Sequence, residues 1–255
     1  MKTIILCGGR GTRMKEETEF KPKPMVEIGG RPMLWHIMKI YSHYGFSRFV
    51  LALGYKGNMV KEYFLNHRAF SNDFTLHHAR NEIDFHNTGN FDDFKITFAD
   101  TGLETITGER LLQTKKYITE DEFMVTYGDA VGDIDIQDLV RFHRNQGTLA
   151  TLTAVHPYSK YGIITIDRSS RRATGFQQKP MVNDYVNGGF MVFSKKAFDY
   201  FDAGPMENAF PRLIQDNELS VYEHTGFWKS MDTYTEMEDL NRLWGEGRPW
   251  AVWEA

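Results

Sequence analysis

The chain has one cysteine in 255 residues, and that scarcity is the first constraint. Cys7 has no partner for an internal disulfide. It ends the apolar run Thr3 to Cys7, which predicts a buried strand residue in a reduced, cytoplasmic protein. Long hydrophobic runs are missing as well. No stretch approaches the roughly 18 apolar residues of a membrane helix, and the short run after Lys2 stops at glycine and arginine, which predicts no signal peptide. Neither sign of charge dominates: 30 Lys and Arg against 34 Asp and Glu give −4, interspersed along the chain, which argues against nucleic acid or an anionic membrane as partner. Any bound anion must therefore meet a local cluster of positive groups. Linkers, low-complexity tracts and internal repeats are also absent. With 41% hydrophobic and 14% aromatic residues, the chain is expected to fold as one domain, 1–255, with a sizeable core.

What is present alternates. Strands are predicted at Thr3–Cys7, Arg48–Leu53, Lys95–Ala99, Glu122–Thr126 and Leu149–Val155. Between them, Pro32–Tyr44 (Leu34, Ile37, Met38 and Tyr41 on one face), Met59–His67, Gly108–Ile118 and Gln137–Gln146 have helical spacing. Such alternation implies an α/β fold: a Rossmann-like, mixed but mostly parallel sheet with helices on both faces. After residue 155 the texture changes. Tyr161–Ile166, Ala173–Gln178 and Phe190–Phe193 read as strands separated by turns, hence small antiparallel additions in the C-terminal half. Helical signals return at Lys195–Phe201, Asn208–Asp216 and Thr233–Trp244. The segment from Arg68 to Phe94 fits no pattern. Its His77, His78, His86, Asp84, Asp92 and Asp93 match no familiar ligand spacing, so it reads as a surface excursion ahead of a metal cluster. His36, His43, His143 and His224 lack partners in the sequence and are assigned to core or surface. Trp244, Trp250 and Trp253, with Phe227 and Trp228, are expected to close over the core, a subunit contact or a sugar platform being the alternatives.

The stretch that follows the first strand carries the chemistry. In an α/β sheet ligands bind beyond the carboxyl ends of the strands, and Gly8, Gly9 and Gly11 fall there. Glycine lets the backbone turn sharply and bring bare N–H groups against an anion. Two standard loops are excluded, since there is no GxxxxGK[ST] and Met14 stands where a dinucleotide motif needs its third glycine. What remains is GGRGTR followed by KPKPMVEIGG, which adds Arg13, Lys21 and Lys23. Pro22 and Pro24 restrict the backbone and are expected to hold the lysines on a stiff extended segment, as suits charges that must be aimed at a polyphosphate. A divalent ion accompanying such a ligand wants oxygen donors and needs only one or two carboxylates. Asp129 follows the apolar run FMVTYG and should project at the same sheet edge; Asp232 lies in WKSMDT, where it could equally be an acid at the start of the last helix. Asp133 and Asp135 are assigned to a turn and to the cap of the next helix.

Together GGRGTR, KPKPMVEIGGRPMLWHIMKIYSHYG, GYKG, DTG, TGERL, TYGD, NGGF and GFWKSMDT resemble the sugar-phosphate nucleotidyltransferases, and within them the glucose-1-phosphate cytidylyltransferases, from residue 3 to the C-terminus. That resemblance implies a cytoplasmic, Mg²⁺-dependent enzyme, usually a homo-oligomer, that joins CTP and a sugar 1-phosphate into a CDP-sugar and pyrophosphate. It implies Arg13 and Lys23 as catalytic groups and Asp129 and Asp232 as metal ligands. Leu6, Gly8, Gly9, Gly11, Thr12, Thr105, Arg110 and Gly128 would contact the nucleotide, and Gly162, Gln178, Lys179 and Asn187 the sugar phosphate. Residues 1–155 would form the nucleotide-binding portion and 156–255 the sugar-phosphate portion. Two positions depart from the family pattern. Gln178 stands where Glu is usual before Lys-Pro, which bears on the choice of sugar, and Ala130 stands where glycine is common after the metal aspartate. The rivals are the same reaction with UTP, dTTP or GTP; a glycosyltransferase, which would normally show a DxD pair after the strand instead of Gly128-Asp129-Ala130; and a non-catalytic sensor, which would not need Arg13, Lys23, Asp129 and Asp232 together.

Overall fold

The computed structural model describes residues 1–86 and 91–254, apart from the side chains of Arg13, Lys15 and Glu16. Its centre is a seven-stranded sheet built from β1 (Lys2–Cys7), β2 (Arg48–Leu53), β3 (Lys95–Asp100), β4 (Glu122–Tyr127), β5 (Ala150–Val155), β6 (Val186–Ser194) and β7 (Leu219–His224), in the order β7-β5-β6-β4-β1-β2-β3. Strands β1, β2, β3 and β4 pair in parallel, as do β5 and β7; β6 runs antiparallel between β4 and β5. The expected mixed, mostly parallel sheet is therefore found.

Alternation along β1 explains the layers. Ile5 and Cys7 face one apolar cluster and Ile4 and Leu6 the other, all buried, as in a strand covered on both sides. The first face is covered by α1 (Met33–His43), α2 (Gly57–Phe70), α4 (Ile136–Gln146) and α6 (Tyr234–Glu246), which contribute Ile37, Val60, Leu139 and Leu240. The second is covered by α3 (Thr107–Thr114) and α5 (Ala209–Gln215), through Leu111 and Leu213. Local signals set these helices. Asp135 caps α4 by accepting from the Asp138 N–H at 2.8 Å, and Gly147 ends it at φ 70°. Trp250 is fully buried, its ring stacked on Phe227, so the terminal tryptophans do close over the core.

Four differences from expectation have physical causes. The Gly108–Ile118 helix stops at Thr114 and continues as a 3-10 turn, Lys115–Tyr117. β7 went unpredicted because it is a half-exposed edge strand with Glu223 and His224 interrupting its apolar pattern. The 68–94 segment contains an antiparallel hairpin, Phe74–His77 with Glu82–Phe85, whose two faces are both open, so no inside-outside alternation marks it. Lys23–Met25 is a 3-10 turn instead of an extended segment, since the proline φ fits a helical turn as well. A second hairpin, Ile163–Asp167 with Arg172–Gln177, rises from the sheet edge between β5 and β6, near its predicted place. Among the described residues no helix is long and apolar enough to cross a membrane.

Candidate functional site

From β1 the chain builds outward through β2 to β3, then returns to lay β4 on the other side of β1. The loops after β1 and β4 therefore diverge, and a crevice opens between them beyond the carboxyl edge of the sheet. A cavity of about 340 Å³ occupies it. Leu6, Gly8, Gly9, Gly11, Thr105, Arg110 and Gly128 line it together with Lys23 and Asp129, so seven of the eight nucleotide-side residues share one wall system with the two charged groups. Thr12 faces a neighbouring groove with Arg10, Thr18, Glu19 and Tyr55. The expectation for Arg13 rests on a side chain outside the described residues.

The glycine loop is held from behind. Arg110, almost fully buried, donates to the Gly8 carbonyl at 3.2 Å, the Leu53 carbonyl at 3.1 Å, the Thr101 hydroxyl at 2.5 Å and the Gly102 carbonyl at 2.9 Å. One guanidinium thus ties together the loop after β1, the end of β2 and the loop after β3. Gly8 is required for this: a Cβ there would lie 2.1 Å from Arg110 Cζ. Gly11, at φ 63°, turns the chain into the 3-10 turn Thr12–Met14, and its carbonyl accepts from Thr18 Oγ1 at 3.0 Å and Met14 N at 3.0 Å. With the Gly8 and Gly11 carbonyls engaged by the protein, an anion meets the loop's N–H face.

Two acids from distant parts of the chain meet because of a three-residue ribbon. Ala130–Gly132 pairs antiparallel with Trp228–Ser230, and the ladder extends one step further through Met231 N donating to the Asp129 carbonyl at 2.8 Å. Asp129 and Asp232 therefore leave the same end of the ribbon. Between them lies the Lys23 ammonium, 2.7 Å from Asp129 Oδ2 and 2.8 Å from Asp232 Oδ1. Burial acts to lower the pKa of Lys23, and the charges and hydrogen bonds of Asp129 and Asp232 outweigh it, so the ammonium is held above the ordinary lysine range. One cation already reaches both carboxylates, which is the geometry a divalent ion needs from two aspartates. Among the described residues no group of three or more His, Cys, Asp and Glu side chains converges as a metal site, so the carboxylates offered here number two.

The acid at 232 is fixed by the start of α6. Thr233 accepts from Glu236 N, and Glu236 Oε2 accepts from Thr233 N at 2.9 Å and from Asp232 N at 2.7 Å, a capping box extended by one residue. The other oxygen of Glu236 holds Lys160, 3.3 Å away, whose ammonium also lies 3.9 Å from Asp232 Oδ2. Lys160 and Glu236 were not singled out from the sequence. T-x-x-E before an apolar run was a usable signal for Glu236; a lysine in an exposed turn carries none.

The sugar-side residues stand apart from the cavity wall. Gly162, Gln178 and Lys179 sit at the foot of the 163–177 hairpin, where Gly162 lies against the Phe176 ring and a Cβ on it would fall 3.1 Å from Gln178 Oε1. Lys179 is exposed and takes a left-handed φ of 47°. Asn187 is the second residue of β6, whose antiparallel direction brings its first residues to the same edge as the ends of β4 and β5. It reaches the cavity through Tyr127, 3.4 Å from the Asn187 amide, and the Tyr127 hydroxyl in turn donates to Glu207. Burial, then the Glu207 carboxylate, raises the Tyr127 pKa, so this phenol stays protonated.

A family model described as nucleotidyl transferase matches residues 2–239. The glucose-1-phosphate cytidylyltransferases of Salmonella typhi and Salmonella typhimurium are each 43% identical, over 100% of this chain and 100% of theirs. Among solved structures, HddC from Yersinia pseudotuberculosis superposes with a TM-score of 0.69 at 21% identity, covering 95% of this chain and 99% of that one, a likeness of fold.

Proposed function

The chain belongs to the nucleotidyl transferase family, and from that premise we propose that it transfers CMP from CTP to a sugar 1-phosphate, yielding a CDP-sugar and pyrophosphate. The relatives named for glucose 1-phosphate make α-D-glucose 1-phosphate the first sugar phosphate to test. The observation that carries the reading is the Lys23 ammonium shared by Asp129 and Asp232, beside the glycine loop at the point where strand order reverses.

In the proposed step an oxygen of the sugar 1-phosphate attacks the α-phosphorus of CTP. A new P–O bond forms as the bond to the bridging α,β-oxygen breaks, and pyrophosphate leaves with the electron pair. The nucleophile is already an anion near neutral pH, so no proton has to be removed. Catalysis is then positioning and neutralisation of charge, as in other phosphoryl-type transfers. Lys23, held charged between the two acids, is assigned to the α-phosphate, and Arg13 to the leaving β,γ-phosphates. Arg110 positions the nucleotide by holding the glycine loop. Asp129 and Asp232 would hold Mg²⁺, which supplies positive charge to the phosphate oxygens when bound. Gly162, Gln178, Lys179 and Asn187 are assigned to the sugar phosphate. Residues 1–155 thus serve the nucleotide and 156–255 the sugar phosphate within one domain. The protein works in the cytoplasm as a homo-oligomer, for which the exposed Leu76, Ile83, Ile164 and Phe176 of the two hairpins offer apolar contact surface.

The test is pyrophosphate release by the purified protein with Mg²⁺, each of CTP, UTP, dTTP and GTP, and a panel of sugar 1-phosphates. CTP with glucose 1-phosphate is expected to give the highest kcat/KM. Preference for another nucleotide would move the chain to a different branch of the family, and no release with any pair would overturn the reading.

A further inference from the structure

The acid pair has a second cation at its rim. Lys160 Nζ lies 3.3 Å from Glu236 Oε1 and 3.9 Å from Asp232 Oδ2, and its side chain is 55% exposed where that of Lys23 is 14% exposed. It is carried on the foot of the second hairpin, which is closed by Ser159 N donating to the Pro180 carbonyl at 2.8 Å and Val182 N to the Pro157 carbonyl at 3.0 Å. Gly162 follows two residues later, with Gln178 beside it across the foot. An extended chain advances at most about 3.5 Å per residue, so the backbone from 160 to 162 spans no more than about 7 Å. One end of this short stretch adjoins the residues assigned to the sugar ring. The other end places an ammonium on the carboxylate assigned to the metal. A phosphate attached to a sugar lying against Gly162, and reaching a phosphorus held near Asp129 and Asp232, has to come within reach of that ammonium.

We infer that Lys160 is a further substrate-binding residue, whose ammonium exchanges Asp232 and Glu236 for the phosphate of the sugar 1-phosphate; this deepens the proposed function and rests on it. The exchange is easy on both sides. The lysine end of the pair is open to solvent, its contact with Asp232 is a long one at 3.9 Å, and the four-carbon lysine stem can swing its charge without moving the backbone. A phosphate, with its greater charge and three acceptor oxygens, is the stronger partner. The same swing releases Glu236 Oε1 and Asp232 Oδ2 from a competing cation as substrate arrives.

The experiment compares the unsubstituted enzyme with K160Q and K160R. Losing one charge-assisted contact corresponds to roughly 10- to 100-fold in affinity. K160Q is therefore expected to raise the KM for glucose 1-phosphate by at least about tenfold, with the KM for CTP changed less than about twofold and the thermal unfolding midpoint retained. Calorimetric titration with glucose 1-phosphate in the absence of CTP should show the same loss of affinity, and K160R should recover most of it. A merely structural role would instead raise both KM values together and lower the midpoint. Unaltered KM and titration in K160Q, in an enzyme that still releases pyrophosphate, overturn the inference alone. Absence of pyrophosphate release by the unsubstituted enzyme overturns the proposed function, and the inference with it.

Discussion

Lys23 offers a single charge to two carboxylates, and the proposed function makes that charge the one that separates transfer from mere binding. In Lys23→Ala the fold is expected to survive, because Mg²⁺ can take over the neutralisation of Asp129 and Asp232, while the charge proposed for the α-phosphate is gone. Losing such a group typically costs about 100- to 1000-fold in rate, roughly 3 to 4 kcal/mol. Steady-state pyrophosphate release should show that fall in kcat with an unchanged circular dichroism spectrum, and a loss under about fivefold would remove Lys23 from the role. Gln178 poses the complementary question. Its amide both donates and accepts, whereas glutamate only accepts, so Gln178→Glu is expected to change the ranking of sugar 1-phosphates while leaving the KM for CTP within about twofold. Equal effects on both substrates would defeat that assignment. At this scale the sequence was informative wherever a residue sat in a distinctive local string. GGRGTR, KPKP and WKSMDT pointed to Lys23 and Asp232 although nothing in them states that the two touch. The partnership of Lys160 with Glu236 is a contact between a hairpin foot and a helix cap, and no local string records it.

Elements decide whether those residues meet. The ribbon Ala130–Gly132 with Trp228–Ser230 is only three residues on each side, yet its antiparallel register delivers Asp129 and Asp232 to one end. α6 then fixes Asp232 through the capping box of Thr233 and Glu236. Thr233→Ala removes one half of that box. It is expected to lower unfolding stability by about 1 kcal/mol, and, because Asp232 directly precedes the cap, to raise the Mg²⁺ concentration for half-maximal activity severalfold. Denaturant titration and a Mg²⁺ titration of pyrophosphate release measure the two effects; a stability loss with no change in Mg²⁺ dependence would show that the cap supports the helix alone. Strands β1, β2, β4 and β5 were legible because buried strands are apolar runs of the right length, the edge strand β3 because Ile96 and Phe98 mark a short apolar run, and α1, α2 and α4 because one face is periodically apolar. The elements that escaped, β7, the ribbon and the 74–85 hairpin, share one property. The ribbon is short, the hairpin is open to solvent on both faces, and β7 is a half-exposed edge strand whose inner face is polar, so pairing with a distant segment defines each and apolar periodicity does not.

The whole molecule depends on pH through groups far from the cleft. His36 of α1 is fully buried among Trp35, Trp244, Trp250 and Trp253, with Nε2 against the Ile28 carbonyl at 2.8 Å and Nδ1 accepting from the Trp250 indole N–H at 3.3 Å. These partners fix the neutral tautomer that carries its proton on Nε2, and a second proton on Nδ1 would face a donor. Burial is the main cause that brings the pKa of His36 down from 6.5 to about 4; the nearby Arg31 charge acts the same way, against the Ile28 and Arg31 backbone carbonyls and Glu254. The sign follows from which state takes up the proton first. Below pH about 6.5 the unfolded chain protonates this histidine while the folded chain does not. Stability is therefore complete above pH about 6.5 and drains away between about 6.5 and about 4, by up to about 3 kcal/mol from His36 alone. Burial lowers His67 and His143 as well, so their contributions carry the same sign. Urea midpoints measured from pH 7.5 to 4 should fall through this window, and His36→Gln, which keeps a donor for the Ile28 carbonyl but cannot titrate, should flatten the larger part of the slope. An unchanged slope in that variant would show that acid sensitivity arises elsewhere, and that the tryptophan cluster closing over α1 tolerates a charged imidazole.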